Sequence, residues 1–499
     1  MNTFMSNMKS EMNYDYTTNG AVKHTSTMNK VLDMFAMGGA YRKRSDIDCI
    51  ALFKAAFDEN PDLALRCLFY LRDIRGGQGE RRFFRVCFKW LAQNHAQVAK
   101  NQLDHISEYG RWDDLLYATE GTSVFQYALA AIKKQFVLDI QCNAPSLLAK
   151  WLPSENASSA ESKRLGGLVR KYFGMTSREY RKSLSELRRR INVLERLMSA
   201  GKWDEIEFDK IPSRAGLIYK NAFARRDLIA AKYESFAKSK DAKVNAAALY
   251  PHDVCHKAYG VERLPYDSAE RLMVQKYWDN LPNFYGGNEE NGLAVVDTSG
   301  SMMGQPMEVA LSLGAYMAEK AHGPFANHFM TFSTKPELIE FQGVDITDKL
   351  MRAQRASWQM NTNLKAVFDL LLKVARKKNT KASDMPTRLY IISDMEFDGC
   401  ITADVGDSYW GMRNLNRGSI DTLVESIKKE WASYGYKLPQ IVFWNVNASA
   451  GNNIPAIGEG FSYVSGFSPS MLKQILSGKD GIDLMLEVLN SERYVNIHA

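Results

Sequence analysis

Several features that mark common protein classes are missing from this sequence. It contains no run of about 18 apolar residues, so we expect no membrane span. Residues 1–29 are polar and lack the apolar centre of a secretory signal, so we expect them to form a flexible tail. The six cysteines form no Cys-x-x-Cys pair, which is typical of buried free thiols in a reducing, cytoplasmic compartment.

Recognisable catalytic motifs are missing as well. The segment at 76–79, Gly-Gly-Gln-Gly, does not lead into the Lys-Ser or Lys-Thr of a phosphate-binding loop. No Gly-x-Ser-x-Gly motif occurs, and the eight histidines are dispersed along the chain. We therefore expect a protein that is not an enzyme.

The positive charge of the chain is concentrated in one segment. The whole chain has a net charge of +7, but residues 161–240 hold 20 Lys and Arg against 10 Asp and Glu. The rest of the chain therefore carries a net charge of −3. Such a local excess predicts a site for a polyanion.

Two halves of the chain show different hydrophobic periods. From about residue 27 to 279, apolar residues recur at helical spacing, and loops with Gly or Pro separate the segments. The clearest predicted helix covers residues 177–200, where Thr176 and Glu179 form a capping box. Consecutive helices without strands indicate a helical stack, at most a degenerate, HEAT-like repeat.

After residue 288, short apolar strands alternate with helices. We predict strands at 293–296, 328–332, 389–393 and 440–444, and helices at 306–322, 364–377 and 420–434. This alternation predicts a mostly parallel, doubly wound sheet of the Rossmann-like kind. The fold class is therefore multidomain, α followed by α/β. Ligands of such sheets bind beyond the carboxyl ends of the strands.

One set of oxygen-bearing side chains lies at those strand ends. Asp297, Ser299 and Ser301 form an Asp-x-Ser-x-Ser run directly after a strand, and Asp394 follows another strand. Thr362, before a helix, is the remaining candidate. Carboxylate and hydroxyl oxygens are ligands for a hard divalent cation, so we predict a site for Mg²⁺, with Mn²⁺ and Ca²⁺ as alternatives. A plain turn or helix cap is the competing interpretation of the Asp-x-Ser-x-Ser run.

The basic segment supplies candidates for RNA binding. They are Arg164, Arg170, Lys171, Arg178, Arg181, Lys182, Arg188, Arg189 and Arg190. Tyr172, Phe173 and Tyr180 lie among them and would stack on bases. Four further arginines, at 72, 75, 81 and 82, surround a Gly-Gly turn that would approach a nucleic-acid backbone. The alternative is a solvated helix face with its aromatic residues in the core.

Two family resemblances extend these predictions. The metal motif resembles the metal-ion-dependent adhesion site of von Willebrand A (vWA) domains, although Ser393-Asp394-Met395 replaces the usual Thr-Asp-Gly. Segments at 71–81 (LRDIRGGQGER), 151–156 (WLPSEN), 180–188 (YRKSLSELR) and 441–447 (IVFWNVN) resemble DUF2828-class relatives of the Ro/TROVE ribonucleoproteins. This resemblance implies a helical-repeat domain at 30–287, a vWA domain at 288–488 and a C-terminal tail at 489–499.

The resemblance also implies partners. A Ro-like protein would bind small non-coding or structured RNA through its helical domain, and its metal ion would bind an acidic group of a protein ligand. The rival hypothesis is a metal-dependent protein-interaction scaffold that has no role with RNA. Neither hypothesis requires a membrane.

Overall fold

The computed structural model describes most of the chain. The described residues are 13–17, 22–285, 291–332, 335–354, 363–397, 420–448, 454–455, 460–476, 479 and 481–499. They form a helical N-terminal region followed by a six-stranded sheet with flanking helices. None of the helices described is long and apolar enough to cross a membrane.

The N-terminal region consists of helices from Lys30 to Asp279. They are α1 (Lys30–Met37), α2 (Asp46–Glu59), α3 (Pro61–Arg72), α4 (Arg81–Asn94), α5 (Ala96–Asn101), α6 (Leu103–Tyr109), α7 (Trp112–Tyr117), α8 (Phe125–Gln141), α9 (Leu148–Trp151), α10 (Ala160–Phe173), α11 (Ser177–Arg190), α12 (Leu194–Ser199), α13 (Ser213–Arg225), α14 (Asp227–Lys238), α15 (Pro251–Tyr259) and α16 (Ala269–Asp279). Residues 30–285, all described, contain no strand, which confirms the prediction of a helical half.

Local capping signals set several of these helix boundaries. Ser45 and Asp48 form a capping box at the start of α2. Asn60 caps α3, and Pro61 occupies the first turn, where its missing N–H costs nothing. Gly174 ends α10 in the left-handed conformation, with φ of 73°.

The prediction of one helix over residues 177–200 is wrong. The capping box of Thr176 and Glu179 is confirmed, but α11 ends at Arg190 and α12 begins at Leu194. Between them Asn192 adopts a φ of 50°, a left-handed conformation that Asn tolerates better than most residues. The apolar stripe continues through the break, which explains why periodicity alone suggested a single helix.

The C-terminal region is built around one sheet. Its strands are β3 (Gly292–Asp297), β4 (His328–Phe332), β5 (Leu338–Glu340), β6 (Arg388–Ser393), β7 (Gln440–Asn445) and β8 (Phe461–Ser465), after a hairpin of β1 (Tyr14–Tyr16) and β2 (Val22–His24) near the N-terminus. Its helices are α17 (Gln305–Lys320), α18 (Ile346–Gln354), α19 (Leu364–Lys378), α20 (Ile420–Ser433), α21 (Leu472–Ile475) and α22 (Gly481–Leu489).

The strand order of the sheet is β5-β4-β3-β6-β7-β8. All neighbours are parallel except β4 and β5, which are antiparallel. The four predicted strands and three predicted helices are confirmed, while β5, β8, α18, α21 and α22 were not predicted. The chain runs outward from β3 in one direction and later from β6 in the other. The crevice between β3 and β6 is therefore the topological switch point, where doubly wound sheets bind ligands.

The described residues near the N-terminus and the residues at the C-terminus pack against the rest of the molecule. The prediction of a flexible tail over 1–29 is wrong for the described residues from 13 onward, because His24 pairs with Ile454 and the Thr17 hydroxyl donates to the carbonyl of Phe397. At the other end, Arg493 and Tyr494 bind the buried carboxylate of Asp73. Hydrogen bonds between distant parts of the chain, rather than local sequence, hold these segments.

The first helix also joins the two regions. Helix α1 packs against β8 at the edge of the sheet. The Ser465 hydroxyl donates to the carbonyl of Phe35 at 3.1 Å and accepts the Gly39 N–H at 3.0 Å. The edge strand is thereby covered, which protects its free backbone groups from pairing with other chains.

Candidate functional site

Three of the five predicted metal ligands lie together at the end of β3. Asp297 is fully buried, and its carboxylate accepts the backbone N–H of Ser299 at 2.9 Å and the hydroxyl of Ser393. The hydroxyls of Ser299 and Ser301 are 3.1 Å apart. The turn after β3 therefore turns both serine hydroxyls to one point, as the Asp-x-Ser-x-Ser spacing predicted.

Asp394 lies beside this turn because β6 pairs with β3. Val296 is level with Ile392 in the sheet, so Asp394 comes one position beyond Asp297. Asp394 is 1% exposed, and among the described residues its Oδ2 atom has no hydrogen-bond partner. A buried carboxylate oxygen without a donor is costly, and a cation would remove that cost.

The pKa shifts of Asp297 and Asp394 also favour a cation at this position. Burial and, to a smaller extent, the neighbouring Asp394 carboxylate raise the pKa of Asp297 to about 7. Burial also raises the pKa of Asp394, while the Ser301 hydroxyl and the Glu396 amide partly oppose the change. Two desolvated carboxylates in one crevice favour a bound cation, so these residues fit a divalent ion.

Two further residues bear on this set. Thr362 lies outside the described residues. Glu396 was not predicted, yet it is buried two positions after Asp394 and raises the pKa of that carboxyl. No group of three or more His, Cys, Asp and Glu side chains arranged to hold a metal occurs among the described residues. The predicted set combines two carboxylates with hydroxyls, which is a different kind of group.

The nine basic residues predicted to bind RNA do not form one surface. Arg164 and Arg189 are paired with Glu120 and Glu186 near the surface. Arg170 forms an ion pair with Glu155. Three more arginines donate hydrogen bonds: Arg181 to the carbonyl of Ser177, Arg190 to the carbonyls of Asp139 and Ile140, and Arg188 to three acceptors in the segment 149–154. Lys171, Arg178 and Lys182 are exposed. Phe173 and Tyr180 are buried in the core, so the prediction that they stack on bases is wrong.

A large cavity in the helical region gathers basic residues from many elements. Its volume is about 1170 Å³, and its lining includes ten Lys and Arg but only two Glu. The cations are Arg42, Arg72, Arg81, Arg82, Arg111, Lys150, Arg181, Arg188, Arg196 and Arg214. Of the nine predicted residues, only Arg181 and Arg188 are among them. Three of the four arginines around the Gly-Gly turn, at 72, 81 and 82, also line it.

Half of these cations have carboxylate partners. The pairs are Arg42 with Glu80, Arg72 with Asp114, Arg82 with Asp46, Arg111 with Asp113 and Arg214 with Asp253. Within the described part of the chain, the other five form no ion pair: Arg81, Lys150, Arg181, Arg188 and Arg196. Burial lowers the pKa of Arg81, and Arg111 and Arg85 lower it further. The cavity therefore holds uncompensated positive charge and suits an anionic ligand.

A smaller pocket of about 360 Å³ lies beside the cavity and shares lining residues with it. Arg111, Trp151 and Ser154 line both spaces. The sequence signal for Trp151 was its place in the WLPSEN segment, and no local signal indicated Arg111, Lys150, Arg196 or Arg214. These residues come together only through packing of helices that are far apart in the chain.

The protein thus combines a helical region that contains a basic cavity with a doubly wound sheet that has two carboxylates at its switch point. Comparison with known proteins agrees with this division. Residues 17–118 and 137–283 match the domain of unknown function DUF2828, and residues 291–495 match the domain of unknown function DUF7788.

A relative also matches along the whole chain. An uncharacterized protein of Acanthamoeba polyphaga mimivirus is 30% identical over 528 aligned residues, which cover 97% of this chain and 88% of that protein. The chain belongs to the DUF2828 family and shares with this viral relative nearly its full length. The DUF2828 resemblance predicted from the sequence is thereby confirmed.

Proposed function

We propose that this protein is a non-enzymatic, cytoplasmic RNA-binding protein of Ro/TROVE-like architecture, with RNA bound in the basic cavity. The observation that supports this most is the set of five cationic side chains around one cavity that form no ion pair among the described residues. Lys and Arg that neutralise phosphates are the main source of sequence-independent affinity for nucleic acids. The ligand would be a small non-coding or structured RNA.

The cavity also limits the form of the RNA that enters it. Small-molecule pockets measure roughly 300–1,000 Å³, and the cavity, at about 1170 Å³, is only slightly larger. It therefore accommodates a few unpaired nucleotides rather than a duplex. A single-stranded segment or end of a structured RNA is the part that the cavity would bind.

Binding to a labelled single-stranded oligoribonucleotide, followed by fluorescence anisotropy, tests this proposal. Neutralising five phosphates predicts a slope of log affinity against log salt of about −3.5. Arg81→Glu combined with Arg196→Glu should weaken binding at least about tenfold, because both line the cavity without an ion-pair partner. The control is Arg263→Glu, an arginine whose side chain is 93% exposed and lies outside the cavity lining.

Two results would contradict the proposal. One is an affinity that does not change with salt. The other is a loss of affinity that is as large per reversed charge in the Arg263→Glu control as in the cavity variant, since the effect would then follow overall charge rather than the cavity.

We propose in addition that the C-terminal region is a vWA-type domain with a metal-ion-dependent adhesion site. Asp297, Ser299, Ser301, Asp394 and Thr362 would hold the ion, with Mg²⁺ first and Mn²⁺ or Ca²⁺ as alternatives. The unpartnered Oδ2 atom of Asp394 supports this among the described residues. A bound ion would supply a positive centre with open positions for a carboxylate of a protein ligand.

The same observation favours a second candidate function, a metal-dependent scaffold with no role with RNA. Capture of protein partners from the native cell separates the two functions. A scaffold predicts capture that chelators and Asp297→Ala abolish, while the Arg81→Glu and Arg196→Glu pair leaves it unchanged. RNA binding that survives Asp297→Ala, together with RNA in the purified protein, would favour the first function.

A further inference from the structure

Three half-buried aromatic residues line the basic cavity, and they differ in the hydrogen bonds of their polar atoms. Tyr250 is held by its hydroxyl, which donates to the carbonyl of Gln78, and its ring stacks on His252. The hydroxyl of Tyr219 is paired with Glu195. Trp151 is half-buried, and its indole N–H has no hydrogen-bond partner among the described residues. Of the three rings, only Trp151 also lines the smaller pocket, and its face opposite the Arg111 guanidinium is the one left for a ligand.

Trp151 also borders a second space. It lines both the large cavity and the smaller pocket, together with Arg111 and Ser154. A ligand with parts in both spaces would contact this ring. A flexible single strand has that shape, since its bases and phosphates alternate along its length.

Two cations lie next to the indole ring. The guanidinium carbon of Arg111 is 3.9 Å from the ring centroid, and the ammonium nitrogen of Lys150 is 5.4 Å from it. Single-stranded nucleic acids are commonly bound by an aromatic ring for the base and by neighbouring cations for the phosphates. Trp151, Arg111 and Lys150 combine these two elements within one side-chain cluster.

The surrounding structure holds this cluster in place before any ligand binds. The carboxylate of Asp113 pairs with the guanidinium of Arg111 on one side. On the other side, Arg188 donates to the carbonyls of Ala149 at 2.8 Å and Leu152 at 2.9 Å, which flank Trp151 in the chain. A ring fixed in advance costs less entropy on binding than a mobile one.

We propose that the face of Trp151 opposite the Arg111 guanidinium is a stacking platform for a nucleobase, and that Lys150, which has no ion-pair partner among the described residues, binds the adjacent phosphate. This inference rests on the proposed function and narrows its ligand to a strand with unpaired bases. The phosphates alone account for binding elsewhere in the cavity, whereas recognition at Trp151 requires a base.

The test compares two labelled single-stranded oligodeoxynucleotides of equal length and phosphate number, one of thymidines and one fully abasic. The wild-type protein should bind the strand with bases on the order of 10- to 100-fold more tightly, which is the range measured for stacking of single bases. Trp151→Ala should lose most of this preference while the salt dependence stays the same. Trp151→Phe should retain most of the preference, because the ring remains.

Tyr127→Ala is the matched control. Tyr127 is 49% exposed and lies under the ammonium group of Lys100 at 3.9 Å, but it does not line the cavity. Its substitution should leave the preference for bases unchanged. An unchanged salt-dependent affinity of Trp151→Ala for the abasic strand excludes loss of folding as the cause of its lost preference.

The outcomes separate this inference from the proposed function. Equal binding of both strands by the wild-type protein would overturn the role of Trp151 and leave phosphate binding in the cavity intact. A preference that persists in Trp151→Ala would also overturn it. Failure of both strands and of RNA to bind would overturn the proposed function and this inference together.

Discussion

Arg188 and Arg189 are adjacent in α11 but lie in opposite environments. The guanidinium of Arg188 points inward and donates to the carbonyls of Ala149 and Leu152, at 2.8 and 2.9 Å. The guanidinium of Arg189 lies at the surface, where it pairs with Glu186. Arg188 and Arg189 count equally toward the net charge, but Arg188 forms structural hydrogen bonds whereas Arg189 is exposed to solvent.

The first prediction concerns this pair. Arg188→Ala should lower the free energy of unfolding by about 2–4 kcal/mol, because hydrogen bonds to a charged group are lost and buried carbonyls are left without donors. Arg189→Ala should produce no measurable change, since exposed ion pairs contribute little. Urea denaturation of both variants measures the difference. Equal effects would mean that the inward contacts of Arg188 do not stabilise the fold.

The second prediction concerns the C-terminal segment. Asp73 is fully buried, and the guanidinium of Arg493 pairs with its carboxylate. Arg493→Ala should lower the free energy of unfolding by about 2–4 kcal/mol, because it leaves a buried carboxylate with fewer partners. Arg263→Ala, at an exposed position, should leave stability unchanged. If urea denaturation shows both variants to be as stable as the wild type, the last residues are not an integral part of the fold.

The third prediction concerns the carboxylates at the switch point. Millimolar Mg²⁺ should raise the melting temperature of the wild-type protein, because an ion that binds only the folded state stabilises it. Asp394→Asn should abolish this rise. Asp384→Asn, which changes an exposed carboxylate in the same region, should retain it. A rise of the same size in Asp394→Asn would show that the ion binds elsewhere.

The fourth prediction is a pH dependence of RNA binding. Burial raises the pKa of Glu80 to about 7, although Arg42 and Arg72 oppose this change. Glu80 lines the cavity, so its ionisation adds negative charge to the wall as the pH rises through 7. Binding of an anionic strand should therefore be tighter at pH 6 than at pH 8.

Glu80→Gln provides the control for this pH effect. It removes the titrating group and should remove most of the difference between the two pH values. Anisotropy in metal-free buffer of constant ionic strength measures both proteins. An unchanged pH dependence in Glu80→Gln would assign it to another group.

The metal-ligand candidates could be predicted because their signals are local. Asp297, Ser299 and Ser301 lie within five residues, and both Asp297 and Asp394 directly follow apolar strands. Parallel strands end at the same edge of a sheet, so two such positions meet if their strands are neighbours. Pairing of β3 with β6 meets that condition.

The basic cavity could not be predicted in the same way. Its uncompensated cations lie on separate helices and loops, at Arg81, Lys150, Arg181, Arg188 and Arg196. The density of charge in 161–240 indicated a polyanion site but placed it on nine residues between 164 and 190. Helix packing turned only two of the nine predicted residues toward the cavity and paired several others with nearby acidic groups.

The sequence by itself determined the helical character of the N-terminal half, four strands and three helices of the C-terminal half, and the positions of the two carboxylates, because periodicity, capping and strand ends act over a few residues. Tertiary structure alone decided which charges remain uncompensated, where the described residues near the two ends of the chain pack, and which aromatic rings line the cavity. Those properties depend on contacts between residues far apart in the chain. Arg188 and Asp73 illustrate this, since their partners lie 39 and 420 residues away at Ala149 and Arg493.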